Sequence, residues 1–499
     1  MIYPVSFTQN QDKKTTKASI FYMNDFHAKL PNLERLYTAS KSFDTFETSA
    51  DKMKFSSGDD GLGEDPKLSK AVSKLLDMIG IQKRQPGNHE FDVRPELHAE
   101  NCKTASYEEL GGLNVHIKPE SAMNGVLVNS SVQEVNGHKY GIVGIGPSDM
   151  DLHLKDGVSK SEINVDDIDT TIVNLQKEVD KLREQKLDKI ILLSHSGFAN
   201  DKKIAQQTRG IDVILGGHSH HLLEDVIEGK NLLYNLDGEP VVITQAGKDG
   251  EYFGVLNLEF DENGIIKKVQ NNVTPTRAFN RSLQAKYVVE SIIGKPEHVG
   301  VINSAPPTPT NRLIENNPHG NFMVDAMRIE LGTDIALLNS ANIRGYFEKG
   351  KIDSRKISEI SPFKNRMVVA KVSEKDVVDA IKLGGKSFTA PGKKPGIVMV
   401  SGLRYKMNTK GELLKLEYID KSGKVSQIDI NNPSETRLFT VAMDDFYASG
   451  GNDMAMLNKL ASAEAVYDFD KDKLACDYIR KLNAPVDIID DKRIEIVPA

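Results

Sequence analysis

The chain contains no tryptophan, only two cysteines, and 6% aromatic residues across 499 positions. Cys102 and Cys476 lie far apart, neither is read as having a neighbour at metal-ligand spacing, and the expectation is two unrelated free thiols. A disulfide scaffold is excluded. No apolar run is long enough to span a bilayer. Basic residues are not in excess: 64 Lys and Arg face 71 Asp and Glu, for a net charge of -7. A general nucleic-acid surface, which needs a basic patch, is therefore not expected, and no duplex is expected as a partner. Met1 to Lys17 lacks the charged-then-apolar pattern of a secretory leader and reads as a polar tail. A cytoplasmic location is expected unless a leader has been trimmed.

The length is too great for one core, so two or three domains are expected. Within the first half one pattern recurs: a short apolar strand, then a polar loop holding Asp, Asn or His. Ala18 to Met23 reads as a buried strand and ends at Asn24-Asp25-Phe26-His27. On extended backbone Asp25 and His27, two apart, point to one side. A helix is expected from Pro31 to Ser40. Lys54 to Ser57 leads into Gly58-Asp59, with helical spacing from Leu68 through Ile79. Gly87-Asn88-His89-Glu90-Phe91-Asp92 then reads as a loop leaving a sheet. There Asn88 offers a neutral oxygen, His89 a hydrogen bond or proton, and Asp92 a carboxylate to orient that imidazole.

Val126 to Asn129 and Tyr140 to Gly146 read as strands, and residues 166 to 186 as a charged amphipathic helix. Lys189 to Leu193 ends at His195. Ile211 to Leu215 ends at Gly216-Gly217-His218-Ser219-His220-His221, where alternation puts His218 and His220 on one side. Val241 to Gln245 and Gly254 to Phe260 close the series. Ligands at the carboxyl ends of strands are where open α/β sheets place sites. A set of Asp, Asn and His donors without cysteine suits Mn, Zn, Fe, Co or Mg. Seven donors exceed one tetrahedral ion and suit two ions about 3.5–4 Å apart with a shared carboxylate.

Three other motifs fail. Gly144-x-Gly146 has Asp149 where a dinucleotide fingerprint needs Gly or Ala. Gly385-Lys386-Ser387 has Ala380 where a phosphate loop needs its first glycine. The Asp468 to Asp472 run has Lys473 at the turn glycine and Ile479 at the bidentate glutamate of a calcium loop.

In order and residue type, Asp25-Phe26-His27, Gly58-Asp59, Gly87-Asn88-His89-Glu90-Phe91-Asp92, Ser194-His195 and Gly217-His218-Ser219-His220 resemble the motif series of calcineurin-like metallophosphoesterases, in the version of the 5'-nucleotidase / UDP-sugar hydrolase family. The second half resembles that family's other domain in Asn311 to Met327, which resembles its first helix, in Leu337 to Arg344, in Ser361-Pro362-Phe363 and in Asp445 to Gly451. The resemblance implies an α/β fold. A polar tail (1–17) would precede a four-layer α/β/β/α metallophosphoesterase sandwich (18–275), a helical linker (276–298) and a second α/β substrate-binding domain (299–499).

It also implies roles. Asp25, His27, Asp59 and His220 hold one divalent ion; Asp59, Asn88, His195 and His218 hold the other. His89 stabilises phosphoryl oxygens and Asp92 orients it. Phe363 and Phe446 stack on the base, Asn339 bonds to it, and Arg344 and Arg312 contact anionic oxygens. The ribose-binding aspartate of the family is replaced here by Asn452, with Asp453 one position later, and Ser340 and Ala341 replace glycines. The implied activity is release of phosphate from nucleoside 5'-monophosphates by a metal-bound water. Alternatives are a 2',3'-cyclic nucleotide phosphodiesterase or nucleotide-sugar pyrophosphatase of the same family, and a catalytically inactive nucleotide-binding protein. The family is mostly periplasmic, secreted or at the cell surface.

Overall fold

The computed structural model describes residues 5–6, 15–47, 50–154, 159–389 and 396–499. They form two compact units, Met1–Lys295 and Pro296–Ala499.

In the first unit, two sheets face each other. One runs in the order Ile266–Pro275, Tyr252–Phe260, Thr16–Met23, Asp51–Ser56, Lys83–Arg84, Glu108–Glu109. The other places Pro240–Thr244, Val213–Leu215, Ile190–Ser194 and His138–Ile145 side by side. Thr16–Met23, Asp51–Ser56, Lys83–Arg84 and Glu108–Glu109 are parallel, as are the four central strands of the second sheet.

Period-two alternation explains the layering. Ala18, Ile20, Tyr22, Met53 and Phe55 of one sheet share a buried cluster with Ile142, Ile191, Leu193, Val213 and Leu215 of the other. The intervening residues Val143, Ile145, Ile190 and Leu192 face outward onto Leu175, Val179 and Leu182 of the helix Ile168–Glu184. On the far side Phe21 meets Phe43 of the helix Leu30–Phe46, and the helices Leu30–Phe46, Pro66–Ile79 and Leu283–Ile293 pack together. The result is an α/β/β/α stack.

Helix ends follow local chemistry. Asp65 accepts the N–H groups of Lys67 and Leu68, Pro66 sits in the first turn, and Gly80 at φ 88° ends the helix.

Several expectations change. Val126 to Asn129 is not a strand. These residues form turns, only Val128 bridges to Leu110, and the strand starts at Ser130. The stretch read as a polar tail supplies sheet at both ends: Val5–Ser6 pairs with Val269 and Lys268, and Thr16 opens the first long strand. The segment read as a linker contains the helix Leu283–Ile293, which packs on helices of the first unit, and His298 already begins a strand.

The second unit has a five-stranded sheet in the order Val398–Ser401, Ile335–Asn339, Leu438–Asp444, Met367–Ser373, Ala465–Val466. The helix Pro318–Leu331 packs on Ile335–Asn339 and Val398–Ser401. Asn317 caps it, Pro318 opens it and Gly332 closes it, so Asn311 to Asn316 precede the helix rather than form its start.

Behind the parallel strands of the first sheet lies a buried charge cluster. Arg84 is 2.9 Å from Asp60, 2.5 Å from Glu90 and 2.7 Å from Glu109. Burial pushes the Asp60 carboxyl up to about 6 against the pull of Arg84. Removing one partner of a buried ion pair costs about 3–5 kcal/mol because the other charges stay buried. Arg84→Met is expected to lower unfolding stability by about that amount, read as a reduced urea midpoint by circular dichroism. An unchanged midpoint would show that the three carboxylates need no counter-charge.

Candidate active site

Every expected metal donor sits on a loop at the carboxyl end of a parallel strand. Register keeps those ends level, since Met23 is opposite Ser56 and Ser56 opposite Arg84, while Ser194 is opposite Ile145 and Leu215 opposite Thr244. The loops then converge. Asp25, His27 and His220 each present a ligand atom, all within 4.8 Å of one another, as do Asp59, His195 and His218, and again His27, Asp59 and His89. Asp59 joins the groups: its carboxylate is 3.1 Å from His195 Nε2 and 3.7 Å from His27 Nε2. Asp25 is 3.3 Å from His220 Nε2 and 3.9 Å from His195 Nε2.

The local backbone differs from the extended form expected at Asp25/His27 and His218/His220. Asp25, His27, Asp59, His218 and His220 have φ of 52°, 49°, 52°, 71° and 59°, in the left-handed region. Cross-loop bonds hold them there. Asp25 N–H donates to Gly58, His27 N–H to Asp59, and His218 N–H to the Asp25 carboxylate. Glycine is required at two points. A Cβ on Gly87 would strike Asp59 and His195 Nε2, and Gly58, at φ 89°, packs against the backbone of Gly87.

The cluster fits divalent cations. Among the described residues, His27 Nε2, His195 Nε2 and Asn88 Oδ1 are buried and have no hydrogen-bond partner, although all three belong to the cluster's residues. Most polar atoms buried in a folded protein are paired. Burial alone would keep His27 and His195 neutral, yet the neighbouring carboxylates push them up to about 9 and about 10, so this pocket demands positive charge. Burial opposes ionisation of Asp59 too, and the His195 imidazole overrides it.

The outer nitrogens are fixed from behind. His195 Nδ1 lies 2.5 Å from the Ser57 carbonyl, and His27 Nδ1 is 3.1 Å from Asp249. Asp149 is 3.3 Å from His218 Nε2 and 3.4 Å from His153. Asn24 donates to the Asp25 carboxylate at 2.7 Å. Asp249, Asp149 and Asn24 were missed in the sequence. Asn24 and Asp149 at least follow strand ends, whereas nothing local marks Asp249 as a partner for a residue 222 positions away.

Beside the cluster, His89 Nδ1 is 2.8 Å from Asp92, which also accepts the Gly63 N–H at 2.8 Å. The His89 N–H donates to Asp59 at 2.8 Å, tying this pair to the donors. His89 is only half-buried and leaves its other ring nitrogen for a ligand.

The second unit gathers its expected residues around one loop network. Asn339 accepts the Ala341 N–H at 2.7 Å, Arg344 Nε donates to the Ala341 carbonyl at 2.9 Å, and the Arg344 guanidinium stands 5.5 Å above the Phe363 ring. Phe446 is partly buried against the core and abuts Gly451, and Asn452 and Asp453 follow at φ 58° and 62°. Asp444, also missed in the sequence, accepts from Asn342, Asn365 and the Tyr447 N–H, and Asn342 accepts from Ser361. It thereby joins the loops of Arg344, Phe363 and Phe446. Arg312 lies before the helix, in a segment whose Leu313 carbonyl accepts from Ile397 and Ser340. The run beginning at Asp468 is a helix start: Asp470 caps Lys471–Leu482.

Residues 18–222 match the calcineurin-like phosphoesterase family, and residues 297–459 match the 5'-nucleotidase C-terminal domain. The trifunctional nucleotide phosphoesterase protein YfkN of Bacillus subtilis is 26% identical over 438 residues, 78% of this chain and 29% of its own length. The 5'-nucleotidase of Mus musculus is 33% identical over 210 residues, 39% of this chain and 35% of its own. The chain thus spans about a third of the length of these two curated relatives. In fold, it is similar to the crystal structure of a 5'-nucleotidase precursor from Thermus thermophilus, with a TM-score of 0.77, 23% identity, and coverage of 97% of this chain and 100% of that one. Among the described residues no helix is long and apolar enough to cross a membrane. Residues 18–222 are thus a calcineurin-like phosphoesterase module and residues 297–459 a 5'-nucleotidase C-terminal module.

Proposed function

We propose that the protein is a dinuclear metal-dependent phosphohydrolase that releases phosphate from nucleoside 5'-monophosphates. One observation carries the reading: two buried donor groups share Asp59, keep unpartnered nitrogens and an amide oxygen, and lie next to an imidazole–carboxylate pair. Asp25, His27, Asp59 and His220 would hold one ion, and Asp59, Asn88, His195 and His218 the other. When bound, such ions supply Lewis-acid chemistry, lowering the pKa of water and neutralising phosphoryl oxygens.

The chain's own residues do the rest. Asp92 accepts the Nδ1–H of His89 and fixes the ring, so that in the doubly protonated imidazolium Nε2–H donates to a phosphoryl oxygen whose charge grows in the transition state. Asp249 fixes His27 from behind. Burial opposes its ionisation, but the His27 imidazole holds its carboxyl well below the usual range. In the second unit, Phe363 and Phe446 offer faces for a base, and the Asn339 oxygen is already engaged, leaving its amide N–H groups to donate. Arg344 commits Nε to the Ala341 carbonyl and would meet an anionic oxygen with its terminal nitrogens. Asn452 and Asp453 stand in the ribose-binding loop, and Arg312 is a further candidate for anionic oxygens.

Purified protein is expected to hydrolyse AMP-type substrates, to lose activity on chelation, and to regain it with Mn, Co, Zn or Mg. A panel including 2',3'-cyclic nucleotides and nucleotide sugars identifies the preferred ester. Activity that survives chelation would overturn the scheme. His89→Ala should lower kcat about 10²–10³-fold with metal content unchanged; wild-type kcat would remove His89 from the chemistry. Asp249→Asn should weaken metal binding about 10–100-fold in chelator competition, and unchanged affinity would make the His27 contact incidental. The Arg344→Ala/Phe446→Ala double variant should raise KM for nucleoside monophosphates roughly tenfold or more, since each stacking or charge-assisted contact is worth about 1–3 kcal/mol. The same variant should leave p-nitrophenyl phosphate turnover intact. Equal losses on both substrates would move base recognition elsewhere.

A further inference from the structure

Outside the sheet-edge cluster the first unit holds a second donor group, across a small cavity from His89. The helix Pro95–Thr104 carries His98 and Cys102 four residues apart, on one face. Glu109, on the short strand Glu108–Glu109, meets them. One ligand atom from each lies within 4.8 Å of the other two. The spacing of His98 and Cys102 is visible in the sequence but was passed over there, and Glu109 comes from another element.

The group is built for a guest. His98 is 3% exposed, and neither of its ring nitrogens has a hydrogen-bond partner; its Nε2 is 3.6 Å from Glu109 Oε1. Glu109 is 2% exposed and splits its two oxygens. Oε1 takes Arg84 at 2.7 Å, while Oε2 is buried with no partner. Charge points the same way. Three buried carboxylates, Asp60, Glu90 and Glu109, surround the single guanidinium of Arg84. A cation on Glu109 Oε2 would reduce that excess without displacing Arg84.

We propose that His98, Cys102 and Glu109 form a third, structural metal site that takes zinc or another thiophilic divalent cation. Thiolate, imidazole and carboxylate together are zinc's donor set, and three protein ligands leave one position for water. On the His98 side a cavity of about 20 Å³, lined also by Arg84, His89, Glu90 and Tyr107 but not by Cys102 or Glu109, has room for one water. Binding exchanges the Cys102 thiol proton, released to solvent, for a sulfur–metal bond. The ion braces Glu109 and, through Arg84, Glu90, whose carboxylate holds the loops of Asp59 and Asn88. The site does not depend on which ester the enzyme cleaves.

Cobalt distinguishes this site from the other. The sheet-edge donors are oxygens and nitrogens only, so a thiolate-to-cobalt charge-transfer band in the near ultraviolet reports on a cysteine alone. Full-length protein stripped and reloaded with Co(II) is expected to show that band and to bind one equivalent more than Cys102→Ser. Cys102→Ser should lose the band, His98→Gln should lose the extra equivalent, and Cys476→Ser should keep both. Equal cobalt content in wild type and Cys102→Ser would overturn the proposal. So would absence of the band in folded, cobalt-loaded wild-type protein, which would leave a water in that cavity as the partner of the His98 imidazole.

Discussion

The Glu90 carboxylate holds the catalytic edge of the first unit together. One of its oxygens accepts the N–H groups of Asp59 at 2.8 Å and Gly87 at 2.7 Å; the other accepts Gly61 at 2.9 Å. Two loops from neighbouring strands therefore hang on one side chain. Arg84, 2.5 Å away, keeps that side chain in place. A buried ion pair of this kind contributes little net stability, because desolvation offsets attraction. What it supplies is position. The loops carrying Asp59, Asn88 and His89 are anchored through their backbones, so their side chains are not needed to hold the loops in place.

That freedom has a conformational cost. Five donors occupy left-handed backbone, at about 1–2 kcal/mol each for non-glycine residues. Extended backbone would satisfy the same sequence more cheaply but would carry neighbouring donors to different places. The cross-loop bonds from Asp25 to Gly58, His27 to Asp59 and Ala28 to Asp60 offset part of the cost and set the spacing of the loops at once. The donors are thus held close before any cation arrives, which explains why imidazoles that burial would keep neutral are driven toward their charged forms.

How much of this was legible in the sequence depended on whether the signal was local. Apolar runs such as Ile190 to Leu193 mark strands that are buried on both faces, and the residue types directly after them mark the donors. Alternation, however, unites Asp25 and His27 for the wrong reason: the structure joins them through left-handed turns, which residue spacing does not reveal. Val126 to Asn129 suits a strand in three of its four residues, yet it pairs only at Val128, as a single bridge to Leu110. Asp249 and Asp444 left no trace. Each acts on residues far away in the chain, and a lone aspartate after a strand has no spacing to betray it.

The two units solve the same problem separately. In the first, Arg84 and Glu90 order the loops around the donors. In the second, Asp444 does so by accepting from Asn342, Asn365 and Tyr447. Burial raises the Asp444 carboxyl, and the Tyr447 N–H, the Asn365 amide and the charge of Lys471 oppose that shift only in part. Each network lies wholly within its own unit. Loops such as Asn339 to Arg344 can therefore change sequence, as Ser340 and Ala341 illustrate, without disturbing the backbone that presents Asp25, Asp59 and His195. A shared fold therefore leaves specificity to the side chains that line a site.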